Sequence, residues 1–301
     1  MMQTVTHTGK ALILRRSPVL DYFSLTKPEL TLLSTMTALA GFVLASEKTL
    51  DWILLAQTMM GTWMVGGGAG ALNQYMERQF DALMKRTENR PLPSARLTAN
   101  EALCFGLMLS IMGIVGLSVF VNPWTGLIAF LTVTTYLLLY TPLKRITNYS
   151  TFIGCFPGAL PPLIGWTATG RAIDGEAFIL FTLLFFWQVP HFLSLAWMYR
   201  KDYGRAGYRT MTVEDSDGEK TGKHALVHTC LLVLVSLVPA ISGSGWLYGL
   251  AAAAAGFVFL CLAASFARQR SNTNARHLFT ASLLYLPVLL SVWTLTRRMV
   301  R

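Results

Sequence analysis

The chain has 301 residues, of which 53% are hydrophobic and only 13% are charged, and its formal net charge is +10. A soluble domain usually carries about 25% charged residues, so this composition excludes an ordinary soluble protein. The basic excess does not require nucleic acid as a partner, because lysine and arginine beside a membrane interact with anionic membrane lipid.

Residues 1–28 are predicted to form an N-terminal tail on the cytoplasmic side. Their first 20 residues contain Lys10, Arg15 and Arg16 and no acidic residue. This pattern is similar to a mitochondrial presequence, and a bacterial cytoplasmic tail fits it as well. We therefore expect a bacterial cytoplasmic (inner) membrane protein, with the mitochondrial inner membrane as the alternative.

Residues 29–297 are predicted to form the membrane domain, followed by a short tail at 298–301. An uncharged stretch of about 18 or more apolar residues is long enough to cross a bilayer as a helix. Two of the stretches are about twice that length, and each contains a turn signal, Asn122-Pro123 in one and Ser-Gly-Ser-Gly at 242–245 in the other. Dividing both predicts an all-α polytopic bundle of about nine transmembrane helices. The stretches are 30–46, 52–76, 102–143, 146–170, 177–199, 224–267 and 277–296.

The distribution of basic residues predicts the orientation of the bundle. With nine spans, one side of the membrane receives 20 of the 25 lysines and arginines, and such an excess marks the cytoplasmic side. The basic C-terminus, with Arg297 and Arg298, falls on the opposite side in this arrangement. The segments on the basic side are the tail and the connections 73–101, 144–149, 200–223 and 268–276.

Two of these connections, 73–101 and 200–223, are long, polar and separated by four spans, which suggests two pseudo-repeats. Membrane proteins often build their sites between such repeats. The side chains that could carry chemistry lie in or beside these connections, so the active site is expected on the cytoplasmic side.

The first connection begins inside an apolar span with Asn73, Glu77 and Asp81, which are spaced by four residues. On a helix, such residues form one ridge about 12 Å long. Two carboxylates and an amide oxygen are hard ligands that suit Mg²⁺, and Mg²⁺ completes its shell with water and substrate phosphate. The alternative is a solvated helix end with an Asp81–Lys85 ion pair. Two acids inside a span favour the functional interpretation.

Lys85 and Arg86 follow the ridge and are candidate phosphate donors. The sequence Glu-Asn-Arg-Pro-Leu-Pro at 88–93 is expected to end the helix, because Pro91 disfavours helical geometry at the residue before it. Gly66, Gly67 and Gly68, earlier in the same span, predict a close contact with a neighbouring helix.

His191 follows Pro190 near the end of the span at 177–199. Its imidazole could ligate a metal such as iron or donate to a phosphate group, or it could be a buried histidine bonded to a backbone carbonyl. Trp187 and Phe192 beside it could line an apolar groove or shield a cation, although packing is the common role of such rings.

These motifs resemble the UbiA-type intramembrane prenyltransferases. The resemblance rests on Asn-x₃-acid-x₃-Asp followed by Lys-Arg-Thr and Arg-Pro-Leu, and on Tyr-Thr-Pro-Leu-Lys-Arg at 140–145. Within that superfamily the chain most resembles the haem-modifying branch, the protoheme IX farnesyltransferases. That similarity is carried by the segments 25–33 (LTKPELTLL), 156–166 (FPGALPPLIGW), 187–197 (WQVPHFLSLAW) and 199–208 (YRKDYGRAGY).

The resemblance implies an enzyme that transfers a farnesyl group from farnesyl diphosphate to a vinyl group of haem B, with Mg²⁺ as cofactor. It gives Asn73, Glu77 and Asp81 the role of metal ligands and makes His191 a haem-binding residue, and it brings in a downstream haem-modifying enzyme as a partner. In this family the first acid is usually Asp, and here it is Glu77. The implied diphosphate-binding residues are Lys85, Arg86, Lys144, Arg145, Arg200 and Lys201, and the implied catalytic residues are Asp81, Lys144, Lys201 and Asp202.

Other functions fit the residues alone, among them that of a non-catalytic assembly factor, and two of them involve the acidic ridge directly. One is prenylation of an aromatic acid or quinone precursor, which would use the same acidic ridge. The other is ion-coupled transport, although transporters usually place such groups near mid-membrane, whereas here the ridge lies at one end of a span.

Overall fold

The computed structural model describes residues 17–46 and 49–300, and within this part of the chain the fold is entirely helical. Most of the predicted N-terminal tail, including Lys10, Arg15 and Arg16, lies outside the described residues. Wider π-helical turns occur at Leu117–Val121, Thr135–Tyr140 and Ala240–Ser244. The helices are α1 (Pro18–Leu25), α2 (Pro28–Ala45), α3 (Trp52–Asp81), α4 (Ala99–Gly116), α5 (Pro123–Thr134), α6 (Thr141–Leu143), α7 (Ser150–Gly158), α8 (Pro161–Ala168), α9 (Gly175–Met198), α10 (Arg200–Arg205), α11 (Met211–Glu214), α12 (Glu219–Pro239), α13 (Gly245–Arg268) and α14 (Asn272–Val300).

Six helical stretches among the described residues are long and apolar enough to cross a membrane, so the chain is an integral membrane protein. One of them, Glu219–Arg268, is 50 residues long, which is more than a single crossing requires. Length and composition therefore do not fix the number of crossings, and nine stays a prediction. The other five stretches are Pro28–Ala45, Ala99–Val121, Pro123–Leu143, Gly175–Met198 and Asn272–Arg297.

Both predicted interruptions of the long apolar stretches are present. Asn122 caps α5 by accepting a hydrogen bond from the backbone amide of Thr125 at 3.0 Å, and its own amide donates to the carbonyl of Thr167 at 2.8 Å. The second interruption lies between α12 and α13, where Gly243 has φ +112° and Gly245 has φ +79°. Only glycine adopts such angles at little cost, so the chain turns there.

The predicted stretch at 146–170 is not one continuous helix. It divides into α7 and α8 between Gly158 and Pro161. Pro161 and Pro162 lack the backbone N–H that would continue the helix. The signal was present in the sequence as Phe-Pro-Gly-Ala-Leu-Pro-Pro.

The predicted close helix contact at the glycines of α3 is also present. A Cβ atom on Gly68 would lie 2.3 Å from Ser110 Oγ and 2.6 Å from the Ser110 backbone nitrogen on α4. The two helices therefore approach too closely for any side chain at this position. This contact fixes α3, which carries the acidic ridge, against its neighbour.

The connections that follow α3, α6 and α9 meet at one end of the bundle. Met84 packs with Ala206 and Tyr208 in a small buried cluster. The backbone amide of Arg209 donates to the carbonyl of Lys144 at 3.0 Å. The two long polar connections therefore share one face, as the sequence predicts, and the short connection 144–149 lies between them.

Candidate active site

The acidic ridge is the most polar part of the bundle interior. Asn73, Glu77 and Asp81 all lie in the last three turns of α3, and their exposed fractions are 0%, 7% and 1%. A buried charge is costly unless it is paired. Each of the three side chains has a cationic partner, and each partner comes from a different connection.

Glu77 is paired with Lys144, which follows α6. Glu77 Oε1 accepts a hydrogen bond from Lys144 Nζ at 2.8 Å, and Nζ lies 4.4 Å from the centre of the Tyr140 ring. Burial opposes the charged form of Lys144, but the Glu77 carboxylate and the surrounding tyrosines outweigh it and hold the pKa of Lys144 well above its usual value. Lys144 therefore stays a cation at neutral pH.

Asp81 is paired with Arg90, because α3 ends at Asp81 and the chain folds back. Arg90 Nη1 donates to both oxygens of Asp81, at 2.9 and 2.7 Å, and Thr87 Oγ1 donates to the Asp81 carbonyl at 2.8 Å. The expectation that the helix continues to 88–93 is wrong. The turns from Asp81 to Arg90 are held by these contacts before Pro91 is reached. The alternative pairing of Asp81 with Lys85 is also wrong, since Lys85 is exposed.

Asn73 is held by Lys27 at the junction of α1 and α2. Asn73 Oδ1 accepts a hydrogen bond from Lys27 Nζ, and its amide nitrogen donates to Thr141 Oγ1 at 3.1 Å. Lys27 has φ +47°, a conformation that is uncommon outside glycine. Burial, with Arg90 nearby, lowers the pKa of Lys27 to about 7.

The ridge fits a hard divalent cation by the chemistry of its donors, which are an amide oxygen and two carboxylates. Around these oxygens stand three cationic side chains, Lys27, Arg90 and Lys144, each of a type that binds phosphate. Tyr208 completes this group: its phenol donates a hydrogen bond to Glu77, and burial and the Glu77 charge raise the pKa of that phenol. Among the described residues, no group of three or more His, Cys, Asp and Glu side chains could hold a metal ion. The ridge offers two acids and an amide.

His191 is the second part of the candidate site. It is 6% exposed, and its ring lies between those of Trp187 and Phe279, with centroids 4.8 Å away on each side. His191 Nδ1 is 2.7 Å from Ser282 Oγ, and Ser282 Oγ donates its hydrogen to the Phe279 carbonyl at 2.5 Å. A hydroxyl has one hydrogen to donate. With that hydrogen directed to the Phe279 carbonyl, His191 Nδ1 is the donor and the lone pair lies on Nε2.

The remaining predicted residues lie outside the paired ridge. Arg86 lies over the ring of Tyr199 at 5.2 Å, Arg145 over Phe80 at 4.0 Å and Arg200 over Trp197 at 3.9 Å; these contacts involve the guanidinium carbons. Lys85 and Lys201 are exposed. Asp202 forms an ion pair with Arg205. The structure thus brings Asn73, Glu77, Asp81 and Lys144 together, and it gives Lys201 and Asp202 no described contact with the ridge.

A cavity of about 900 Å³ opens beside the ridge, and pockets for small molecules usually measure roughly 300–1,000 Å³. Its walls come from the junction of α1 and α2, the connection after α3, the end of α9 and the start of α14. Lys27 and Arg90, which hold Asn73 and Asp81, both line it. Phe279, which stacks on His191, lines it as well. The cavity therefore adjoins both parts of the candidate site.

Sequence reasoning did not assign four residues of this site: Lys27, Arg90, Tyr208 and Ser282. Signals existed for the first two. Lys27 stands just before Pro28, at the entrance of the first span, and Arg90 lies inside the motif that follows the ridge. Tyr208 closes the segment 199–208, which carries part of the resemblance, whereas Ser282 gave no such signal, because a serine in an apolar helix is common.

A model of the UbiA prenyltransferase family matches residues 34–286 of the chain. Two proteins named protoheme IX farnesyltransferase are similar over most of their length. That of Opitutus terrae is 42% identical over 279 residues, which cover 92% of this chain and 94% of the relative. That of Solibacter usitatus is 42% identical over 287 residues, which cover 92% of this chain and 98% of the relative.

Solved structures share the fold. The structure of a digeranylgeranylglyceryl phosphate synthase is 19% identical with a TM-score of 0.78, and covers 93% of this chain and 99% of its own. A UbiA homolog from Archaeoglobus fulgidus, bound to GPP and Mg²⁺, is 12% identical with a TM-score of 0.69, and covers 90% of this chain and 99% of its own. At these identities the likeness concerns the helical bundle alone.

Proposed function

The chain belongs to the UbiA prenyltransferase family, and we propose that it transfers a farnesyl group from farnesyl diphosphate to a vinyl group of haem B, giving haem O and diphosphate. It is a prenyltransferase, as are the relatives that match over nine-tenths of its length. The observation that carries the proposal is the buried ridge of α3, where two acids and an amide face three cations at one end of an apolar bundle.

The reaction requires the C–O bond of farnesyl diphosphate to break, with the electron pair leaving on the diphosphate. The resulting allylic cation accepts the electron pair of the vinyl double bond, which forms the new carbon–carbon bond. Water then adds to the cation left beside the macrocycle and loses a proton, so the product carries a hydroxyethyl group. The chief demand on the protein is stabilisation of the negative charge that develops on the leaving diphosphate.

The three cations of the site meet this demand. Lys144 stays a cation at neutral pH, and Arg90 and Lys27 line the cavity, so each can donate to diphosphate oxygens through charge-assisted hydrogen bonds. A magnesium ion bound with the diphosphate would be held by Asn73, Glu77 and Asp81 and would neutralise the leaving oxygens.

Further predicted diphosphate donors are Lys85, Arg86, Arg145, Arg200 and Lys201, and Asp202 is a further predicted catalytic residue. Of these residues, Lys201 is exposed and Asp202 is paired with Arg205, so neither has a described contact with the ridge.

His191 is proposed to bind the haem. The Ser282 hydroxyl holds its Nδ1, so the free lone pair is on Nε2, and neutral imidazole is a common haem ligand. The two neighbouring rings, Trp187 and Phe279, hold the imidazole plane. An imidazole held in this way is neutral and lies among apolar groups. It can therefore bind the iron without forming an ion pair with the haem, and such an ion pair would slow release of the product.

A direct assay tests the function. Purified protein is incubated with farnesyl diphosphate, Mg²⁺ and haem B, and the mass of the haem product is measured. The expected product has gained one farnesyl group and one hydroxyl group. Absence of that product, with an aromatic acid or quinone precursor prenylated instead, would contradict the choice of acceptor. A coupled assay with a haem-modifying enzyme that consumes haem O then tests the proposed downstream partner.

The site is proposed to face the cytoplasm of a bacterial cell. In a variant without the four native cysteines, Asn89→Cys and Ser216→Cys place single thiols in the two long connections, and Ala172→Cys places one at the opposite end. All three positions are exposed. The first two should react with a membrane-impermeant thiol reagent only from the cytoplasmic side and the third only from outside. Labelling of the first two from opposite sides would contradict the shared face.

A further inference from the structure

The cavity beside the ridge has two kinds of wall. One is apolar and includes Leu195, Met198 and Phe279, and its outer rim is formed by Leu20, Phe23 and Leu30. These rim side chains are 56%, 52% and 59% exposed, as expected for residues at an opening toward lipid. The other wall carries cations. An amphipathic ligand with a flat apolar body and an anionic edge would satisfy both walls.

The cations of the cavity fall into two groups. Four of them line it, Lys27, Arg86, Arg90 and Arg276, against one acid, Glu29. Lys27 donates a hydrogen bond to Asn73, and Arg90 forms a salt bridge with Asp81. Arg86 lies in the same connection as Arg90, and its guanidinium lies over the Tyr199 ring. These three belong to the ridge side, where the diphosphate is proposed to bind.

Arg276 differs from the other three in origin and in partners. It lies in the second turn of α14, on the wall away from α3. Arg276 is exposed. It forms no salt bridge with any residue in the described ranges 17–46 and 49–300. Phe279, three residues further along the same helix, also lines the cavity. Arg276 is therefore a cation without a salt-bridge partner among the described residues, and it lines the same cavity as Phe279.

We propose that Arg276 binds a propionate carboxylate of the haem acceptor in this cavity. The inference rests on the proposed function, because it takes haem as the acceptor. Arginine pairs with carboxylates through two parallel hydrogen bonds, and the carboxylates are the anionic edge of an otherwise apolar macrocycle. The vinyl groups occupy the edge of haem away from the propionates, so anchoring at Arg276 directs them into the cavity.

The position of Arg276 relative to His191 agrees with this placement. Ser282, which holds His191, is six residues beyond Arg276 on α14, and six residues rise by about 9 Å. This is similar to the separation between the iron and the propionate carboxylates of haem. One helix thus supplies the propionate donor, the cavity-lining ring of Phe279 and the residue that orients the proposed iron ligand.

The test compares two probes, haem B and its dimethyl ester, which lacks the propionate charges. Each is titrated into purified full-length protein in detergent, and binding is followed by the Soret absorption. The wild type should bind haem B more tightly than the ester. Arg276→Gln should reduce this preference by about tenfold, the effect expected for one charge-assisted hydrogen-bonded pair. Arg276→Lys keeps the charge and should retain most of the preference.

Arg268→Gln is the matched control, because Arg268 is an exposed arginine at the end of α13 that does not line the cavity. Its preference for haem B should equal that of the wild type. Farnesyl diphosphate binding by each variant reports that it is folded. An Arg276→Gln protein that keeps the wild-type preference overturns the inference alone. A wild type that binds neither probe and forms no farnesylated haem overturns the proposed function itself.

Discussion

The ends of α3 and α9 that lead into the two long connections bury different kinds of polar side chain. At the end of α3, Glu77 and Asp81 are buried acids, each paired with a cation from another segment. At the end of α9, the buried polar side chains are neutral: Gln188, His191 and Ser194. They are satisfied by serine or by backbone carbonyls. The charges that follow α9 lie in a short surface helix.

The difference fits the two substrates proposed for this protein. A paired ionic cluster can exchange its internal partners for a metal ion and a diphosphate, because the cations turn to phosphate while the acids take the metal. A neutral aromatic cluster cannot bind such a charge, but it suits a flat macrocycle and an iron. The two ends therefore support a division of labour in which α3 activates the prenyl donor and α9 holds the acceptor.

The largest effect is expected at Asp81. Asp81→Asn removes the charge that both Arg90 and the proposed metal require, and it should lower kcat at least 10²–10³-fold, an order typical of lost transition-state electrostatics. Glu77→Ala should have a similar effect, whereas Glu77→Asp should keep part of the activity, since it keeps the ligand type.

The measurement is haem product formed per minute over a range of Mg²⁺ concentrations. Haem binding, followed by the Soret band, should stay close to wild type in Asp81→Asn, because the α9 end is intact. Near-normal turnover of Asp81→Asn would overturn the metal assignment. Loss of haem binding in the same variant would overturn the division between the two ends.

A large effect on stability is expected at Lys144. Lys144→Met leaves the Glu77 carboxylate buried and unpaired, and breaking a buried pair typically costs about 3–5 kcal/mol. Thermal unfolding in detergent should show a clear decrease in Tm. The double variant Glu77→Gln with Lys144→Met removes both charges and should recover much of this loss.

Lys144→Arg is the control that keeps the cation at this position. If Lys144→Met and the wild type unfold at the same temperature, the pair with Glu77 does not contribute to stability. The α3 end would then lack the feature that distinguishes it from the α9 end.

The ridge itself was predictable from the sequence, and its partners were not. Asn73, Glu77 and Asp81 are spaced by four residues, so the helical period alone places them on one face. Their partners lie 46, 67 and 9 residues away, at Lys27, Lys144 and Arg90. The chain has 25 lysines and arginines, and only the packing of three connections at one end of the bundle selects these three.

The same limit applies to His191. The sequence marked it as a polar residue at the end of an apolar span, but its partner Ser282 is 91 residues away and has no distinguishing pattern. Helix ends were also predicted imperfectly. The end of α3 is set by Thr87 and Arg90 folding back onto Asp81, a tertiary effect that acts before the nearest proline.

A moderate effect specific to haem is expected at the α9 end. His191→Ala should alter the Soret spectrum of bound haem and lower haem-dependent turnover strongly. Ser282→Ala leaves the imidazole in place but frees its tautomer and orientation, so we expect about tenfold weaker haem binding, the scale of one buried hydrogen bond. Ser282→Thr keeps the hydroxyl and should restore part of the affinity.

Ser236→Ala is the matched control, because Ser236 is a fully buried serine whose hydroxyl donates to the Val233 carbonyl and contacts Tyr285, with no described contact to His191. It should bind haem as the wild type does. Farnesyl diphosphate binding should change little in all these variants. If His191→Ala binds haem normally and loses diphosphate instead, His191 belongs to the donor side and the comparison between α3 and α9 fails.

The smallest effect is expected at the charges that follow α9. Asp202 is paired with Arg205 on the surface, and exposed ion pairs contribute at most about 1 kcal/mol. Asp202→Asn should therefore lower turnover by less than about tenfold, a loss far smaller than that of Asp81→Asn, although both variants remove one carboxylate charge. Lys201→Ala, which removes an exposed cation, should behave similarly.

The two acid variants are compared under identical Mg²⁺ and farnesyl diphosphate concentrations. A loss in Asp202→Asn as large as that in Asp81→Asn would mean that the surface helix closes onto the ridge when substrate binds. The predicted catalytic roles of Lys201 and Asp202 would then hold, and both long connections, not α3 alone, would act on the diphosphate.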